Sequence, residues 1–296
     1  MSAPEELAPD IIGLTSNPAI SRRGFMTTTA AATAGYTLAA GPVRAQVITT
    51  DTTGLVAEAG KAKVTDGEMP LYFAKPSGSQ NLPVILVAME IFGLHQYIKD
   101  VTRRLGKLGA FAVAPDYYFR KGDLAKVSEM AQLLPLVNAK PDAELIADLD
   151  ATVAWAKSQG GDTSRLGIIG FCRGGRTVWI YCANTPNVRA GVAFYGPLVD
   201  PAGQKTIWPK SPTELAAQMQ APVLGLYGQA DQGIPVAQVE AMRAALEAAG
   251  KTASLKIYPE APHGFHADYR PSYRKEAAED AWRQMTAWFK QYKVLG

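Results

Sequence analysis

The stretch Ile168-Ile169-Gly170-Phe171-Cys172-Arg173-Gly174-Gly175 halts an apolar run at a glycine and resumes beyond two more. Gly170-x-Cys172-x-Gly174 has the spacing of a G-x-S-x-G nucleophile elbow, with a thiol in place of the hydroxyl. A residue on so tight a strand-to-helix turn projects its side chain, and only small neighbours fit around it; Gly170 and Gly174 leave that room. A helix beginning near Gly174 would aim its positive end and free N–H groups at Cys172, which favours thiolate over thiol. A free cysteine is also often an inert buried hydrophobe, so the elbow calls for a base beside it.

The chain has three histidines, His95, His263 and His266. His263 stands in Glu260-Ala261-Pro262-His263-Gly264-Phe265, and an acid between nucleophile and base in chain order is available as Asp231 in Gly228-Gln229-Ala230-Asp231. A thiol, an imidazole and a carboxylate in that order suit acyl transfer: the thiolate attacks, the imidazole moves the proton, the carboxylate orients the imidazole. Against this, Asp231 reads also as a turn residue, and His95 and His266 as surface or structural histidines.

These residues fall on loops between alternating strand and helix patterns. A hairpin is expected from 55–59 and 71–74, then a buried strand over 83–88, a helix over 98–108 and a strand over 110–114. A helix rich in Ala and Leu follows over 142–157, then a strand over 166–169 and a helix over 174–183. Strands at 190–194 and 223–227, a helix at 236–249, a strand at 253–258 and a helix at 274–292 complete the series. Such alternation predicts an α/β fold: one domain, with a mostly parallel central sheet and helices on both faces. In such sheets functional groups gather on loops beyond the carboxyl ends of the strands. The loops at 89–95, at 115–120, at Cys172, at Asp231 and at His263 qualify.

At this point the motifs resemble a known family. Gly170-Phe171-Cys172-x-Gly174-Gly175, Glu90-Ile91-Phe92-Gly93, Pro115-Asp116-x-Tyr118, the late Asp231 and Pro262-His263-Gly264-Phe265 occur in the order found in the dienelactone hydrolase family. The resemblance covers the chain after its first 45 residues or so. It implies an α/β-hydrolase fold and a Cys172–His263–Asp231 triad that opens a lactone or cleaves an ester through an acyl-thioester, with no metal or organic cofactor. A broader carboxylesterase or thioesterase acting on another small ester is the alternative. The resemblance also makes Glu90 a modulator of the thiol: in the family the equivalent glutamate interacts with it at rest, and substrate binding rearranges the pair. A carboxylate beside a thiolate repels it and raises the thiol pKa, which protects it from oxidation. The oxyanion hole is expected from the backbone N–H groups of Ile91 and Arg173.

Tyr118, Tyr195, Arg120 and Arg270 are the expected substrate-binding residues. The family holds its substrate carboxylate with two arginines, and Arg120 can match the first. The second position, four residues past His263, is Ala267 here, with Arg270 nearby. This departure bears on the substrate and not on the hydrolytic chemistry.

Composition narrows the rest. The 296 residues are 47% hydrophobic and 19% charged, as in a globular protein with a sizeable core. The net charge of +3 is spread without a Lys/Arg run, which argues against nucleic acid as a partner. No apolar segment reaches the roughly 18 residues that span a bilayer. Residues 1–45 differ from the rest. Ser21-Arg22-Arg23-Gly24-Phe25-Met26, a weakly apolar stretch over 27–43 and a small residue at Ala45 read as a twin-arginine signal peptide. The translocation machinery is then a partner, the folded domain is 46–296, and the destination is the periplasm or the exterior. A monomer is expected.

An oxidising destination raises the question of a disulfide between the two cysteines. Cys172 and Cys182 lie ten positions apart on an expected helix, roughly 15 Å, well beyond the ~7 Å a disulfide permits. The same spacing argues against a redox pair. A non-catalytic binding protein on this fold would be expected to have a damaged triad, and all three members are present.

Overall fold

The computed structural model describes residues 48–296. The leader expected over 1–45 lies outside the described residues.

A hairpin of β1 (Leu55–Val64) and β2 (Gly67–Pro76) opens the sheet. It is followed by β3 (Leu82–Ala88), α1 (Gln96–Lys107), β4 (Phe111–Pro115), α2 (Met130–Asn138), α3 (Asp142–Ser158), β5 (Gly161–Phe171) and α4 (Arg173–Asn184). Then come β6 (Val188–Phe194), β7 (Val223–Gly228), α5 (Val236–Ala248), β8 (Ala253–Tyr258) and α6 (Lys275–Gln291). The eight strands form one sheet in the order β1-β2-β4-β3-β5-β6-β7-β8. β2 pairs antiparallel with β1 and β4, and every later pairing is parallel. This is the α/β-hydrolase architecture, with helices on both faces.

The sequence explains the layering. Val84-Ile85-Leu86-Val87-Ala88 in β3 and all of β4 and β7 are buried, as strands covered on both faces must be. β1 alternates at its end and β8 is only partly buried, because they are the two edges. α6 buries Ala278, Ala281, Met285 and Phe289, a single stripe at helical spacing. α4 is buried from Arg173 to Ala183, so its polar side chains require internal partners.

Two expectations need correcting. The first strand runs on past Ala59 to Val64, pairing with β2 throughout. Gly60, which looks like a terminator, is an in-strand glycine: a Cβ there would lie 2.9 Å from Leu71 Cδ1 and 3.1 Å from the Trp155 ring of α3. α2 lies where no element is expected, with Pro135 inside it. α3 buries Asp142, Asp148 and Thr152 beside Leu145, Leu149 and Ala156. Its buried acids are ion-paired to residues on other elements, as described below.

Candidate active site

β5 delivers Phe171 and then Cys172, whose backbone sits at φ 55°, ψ −121°. Positive φ is rare for a non-glycine residue, so the turn must be held from outside. It is held at both ends: Cys172 N–H donates to Phe194 O at 3.0 Å, and Gly175 N–H donates to Cys172 O at 2.8 Å. Glycine is required around it. A Cβ on Gly170 would fall 2.0 Å from Gly174 O, and one on Gly174 would fall 2.1 Å from Ala88 O. The start of α4 therefore presses directly on the end of β3. That contact brings the amide of Arg173, first residue of α4, to the same end of the sheet as the Glu90-Ile91 loop. Tyr117 secures the loop by donating to Met89 O at 2.9 Å.

Asp231 and His263 come from the loops after β7 and β8. Ala230 N–H donates to Ala261 O at 3.0 Å, and the loops approach so closely that a Cβ on Gly228 would lie 2.1 Å from Ala261 O. Asp231 Oδ2 meets His263 Nδ1 at 2.7 Å, while Oδ1 accepts from the amides of Gly233 and Ile234. The other ring nitrogen, Nε2, is buried, and Cys172 lies close enough to His263 to act on its charge. Burial pulls the His263 pKa down, but the charges and hydrogen bonds of Asp231 and Cys172 outweigh it and hold it well above the usual imidazole range. Cys172, Asp231 and His263 are all buried. Cys172 and Cys182 are not joined by a disulfide, in agreement with the spacing argument.

Glu90, fully buried, has its own set of partners. It accepts from Tyr269 Oη at 2.7 Å and meets His95 Nε2 at 3.2 Å, and Arg270 Nη2 lies 3.6 Å from its second oxygen. Burial would raise its pKa, but Arg270, His95 and Tyr269 together hold it at about 2, so it is a carboxylate. Arg270 reaches it through successive turns, Ala267 N–H to Gly264 O and Arg270 N–H to Ala267 O. Its guanidinium lies over the Phe92 ring at 4.5 Å and donates to Tyr269 Oη at 2.6 Å. A cation thus stands three residues past Ala267, 3.6 Å from Glu90.

Arg120 requires a correction. Expected to face a substrate carboxylate, it is occupied by three of the protein's own: Asp66 at 2.6 Å, Asp148 at 2.8 Å and Glu144 at 2.9 Å. Lys140 shares Asp148 and Glu144. The guanidinium ties the β1–β2 turn to α3. Tyr195, expected to touch substrate, is fully buried, with its ring 5.1 Å from that of His263. Tyr118 is buried against Tyr117.

Sequence reasoning missed several supporting groups. Arg176, 1% exposed, is clamped between Asp142 and Asp200 at 2.6 Å each and lies over Trp208 at 4.7 Å, which locks α4 to α3. Nothing in the local pattern marks it except an arginine on an otherwise apolar helix. Tyr269 and the Tyr97–His266 pair carry no sequence signal either.

Residues 69–293 match the profile of the dienelactone hydrolase family. The chain belongs to the dienelactone hydrolase family. A relative from Methylorubrum extorquens named "Putative carboxymethylenebutenolidase" is 51% identical over 288 residues, 96% of this chain and 98% of its own. One of the same name in Escherichia coli is 45% identical over 261 residues, 87% of this chain and 95% of its own. The crystal structure of a "Putative Dienelactone Hydrolase" from Klebsiella pneumoniae superposes with a TM-score of 0.78 at 46% identity, covering 80% of this chain and 99% of that one.

This dienelactone hydrolase family member is a hydrolase acting on esters or lactones. Among the described residues, no group of three or more His, Cys, Asp and Glu could hold a metal ion, and no helix is long and apolar enough to cross a membrane.

Proposed function

We propose that this family member opens a lactone, or cleaves a similar small ester, by way of an acyl-thioester on Cys172. The observation that carries the reading is the Asp231–His263 contact of 2.7 Å, with Cys172 beside the same imidazole. In the first half-reaction the Cys172 thiolate adds to the carbonyl carbon, and the amides of Ile91 and Arg173 receive the oxyanion. Collapse breaks the acyl C–O bond, and a proton from His263 passes to the leaving oxygen. In a lactone that oxygen stays tethered, so the thioester carries it as a hydroxyl or enol. Water then gives a proton to His263 and adds to the thioester. The C–S bond breaks, the carboxylic acid leaves, and the thiolate is restored.

The substrate class follows from the cations near the site. Arg270 is the candidate to read a substrate carboxylate, in exchange for Glu90, which is released to act on the thiol. A second reading, a broader esterase for neutral esters, draws support from Arg120, whose charge is already taken up by Asp66, Glu144 and Asp148.

The test is Cys172→Ala together with trapping of the thioester by mass spectrometry. The variant is expected to fold and to lose more than about 10³-fold in kcat. Undiminished activity, or an acyl group found on any other residue, refutes the reading.

The same proposal covers the leader. Arg22-Arg23 directs export of the folded 46–296 domain to the periplasm or beyond. Changing both to Lys should leave the precursor in the cytoplasm, and normal export of that variant would overturn the assignment.

A further inference from the structure

Tyr195 follows directly on β6, and its neighbourhood touches both the nucleophile and the base. The preceding carbonyl, Phe194 O, accepts the Cys172 amide at 3.0 Å, and the Tyr195 amide donates to Leu226 O of β7 at 2.7 Å. Its φ of 37° is in the left-handed region, which tyrosine rarely adopts. Gly196 must follow, because a Cβ there would lie 2.3 Å from Gly175 C. This backbone is pinned on every side in a conformation the residue does not favour, and the result is a fixed direction for one ring.

That ring meets the His263 ring at 5.1 Å and 61°, an edge-to-face arrangement. Phe265 packs on it at 5.4 Å and Phe194 at 6.2 Å. Asp231 holds His263 only at Nδ1, which leaves rotation about that hydrogen bond open unless something bears on the face of the ring. The Tyr195 hydroxyl is buried without a hydrogen bond of normal geometry, next to the hydroxyl of Tyr97. Tyr97 Oη is in turn 2.7 Å from His266 Nδ1. His266 is itself wedged between Phe194, at 4.9 Å, and Trp282 of α6, at 5.8 Å.

We infer that Tyr195 is a positioning residue for His263, and that the Tyr97–His266 pair steadies Tyr195 from behind. The inference rests on the proposed triad and assigns Tyr195 a task other than touching substrate. The Tyr97 hydroxyl, hydrogen-bonded to His266 Nδ1, is held beside that of Tyr195. The path joins α1 and α6, on one side of the sheet, to the base on the loop after β8.

The experiment uses the whole chain and two readouts. Tyr195→Leu should lower kcat about 100-fold, in line with a misplaced catalytic group, while KM changes less than kcat. Tyr195→Phe, which keeps the ring, should recover most of that loss and stay within about three- to tenfold of wild type. Without substrate, the low-field imidazole N–H resonance of the Asp231–His263 pair should persist in Tyr195→Phe and broaden away in Tyr195→Leu. Because no ester is present, this signal can fail while the Cys172 test succeeds, and the reverse. Should Tyr195→Leu fail to fold, a cycle of the near-isosteric Tyr97→Phe and Tyr195→Phe decides. Their losses in kcat should not multiply, since both break one contact. Fully multiplicative losses, an unchanged resonance in Tyr195→Leu, or a KM-dominated effect would each overturn the inference.

Discussion

Asp231 faces His263 with one carboxylate oxygen, at 2.7 Å, and its own loop with the other, through the amides of Gly233 and Ile234 at 2.8 and 3.1 Å. The acid therefore has two separable tasks: Oδ1 shapes the turn before α5, and Oδ2 fixes the imidazole. A single acceptor oxygen can still serve the turn when the charge is removed.

Asp231→Asn and Asp231→Ala should therefore differ. Asparagine keeps an acceptor for the two amides but offers the imidazole the wrong hydrogen-bonding partner, so kcat should fall by about 10³–10⁴ with little change in stability. Alanine should lose activity to a similar extent and also about 2–4 kcal/mol of stability, from amides left buried without acceptors. Thermal melts beside kcat measurements check both. Equal melting of the two variants would show that Oδ1 does not hold the turn.

Arg120→Ala should act on stability and not on substrate choice. Its partner Asp148 is 2% exposed at the side chain and would be left to Lys140 alone. Stripping one cation from this cluster should cost about 1–3 kcal/mol, between a surface pair and a fully buried one. Carboxylated lactones and neutral aryl esters should then lose kcat/KM equally. A loss confined to carboxylated substrates would return Arg120 to the binding site.

The contrast between Arg120 and Cys172 shows which parts of the molecule the sequence makes legible. The elbow is readable because its chemistry and its backbone are local: Gly170 and Gly174 stand two residues either side of Cys172, and their crowding is with adjacent elements. Asp231 and His263 are readable because each follows a recognisable strand. Arg120 matches a family position, yet its fate depends on Asp66 and Asp148, which no local pattern brings to it. Gly60 misleads for the same reason: the space it leaves is for Trp155, distant in the chain. The groups behind His263 are in that class too, since Tyr97, Tyr195 and His266 meet only when α1, β6 and the loop after β8 fold together.

His266 gives a stability prediction with a definite sign. Burial, then the nearby Arg104, pulls its pKa from the usual 6.5 to about 3, so it stays neutral in the folded protein. Between those values the unfolded chain binds a proton that the folded chain does not. Stability therefore falls as the pH drops below about 6.5, at most about 1.4 kcal/mol per pH unit, and levels off below about 3. Glu90, held at about 2, adds a further loss below about pH 4.5. Asp116, raised to about 6 chiefly by burial, opposes both between about pH 6 and 4, because its protonation favours the folded state. His266→Gln retains an acceptor for Tyr97 without the titration. Urea midpoints at pH 7, 5.5 and 4.5 should show any deficit of this variant shrinking or reversing as the pH falls. A difference independent of pH would mean that His266 is not a buried neutral imidazole.

Arg270 and Glu90 give the prediction that bears most directly on substrate. Arg270 lies 3.6 Å from Glu90, stacked on Phe92 and bonded to Tyr269, so a substrate carboxylate must compete with a carboxylate already in place. A charge-assisted hydrogen bond is worth roughly 1.5–3 kcal/mol, or about one to two powers of ten in kcat/KM. Arg270→Ala should lose about that factor on carboxylated lactones and much less on neutral aryl esters. Glu90→Gln keeps the shape and removes the competing charge. It should lower KM for the carboxylated substrate, because the ligand no longer competes with the Glu90 charge for Arg270. If Glu90 also governs the thiol, the pH profile of the Gln variant should shift as well, and its Cys172 should react with iodoacetamide at a rate different from wild type. Equal losses on charged and neutral esters in Arg270→Ala would instead make the guanidinium a strut that keeps Glu90 ionised. In that case the enzyme would belong with the broader esterases, its specificity set by shape rather than by charge.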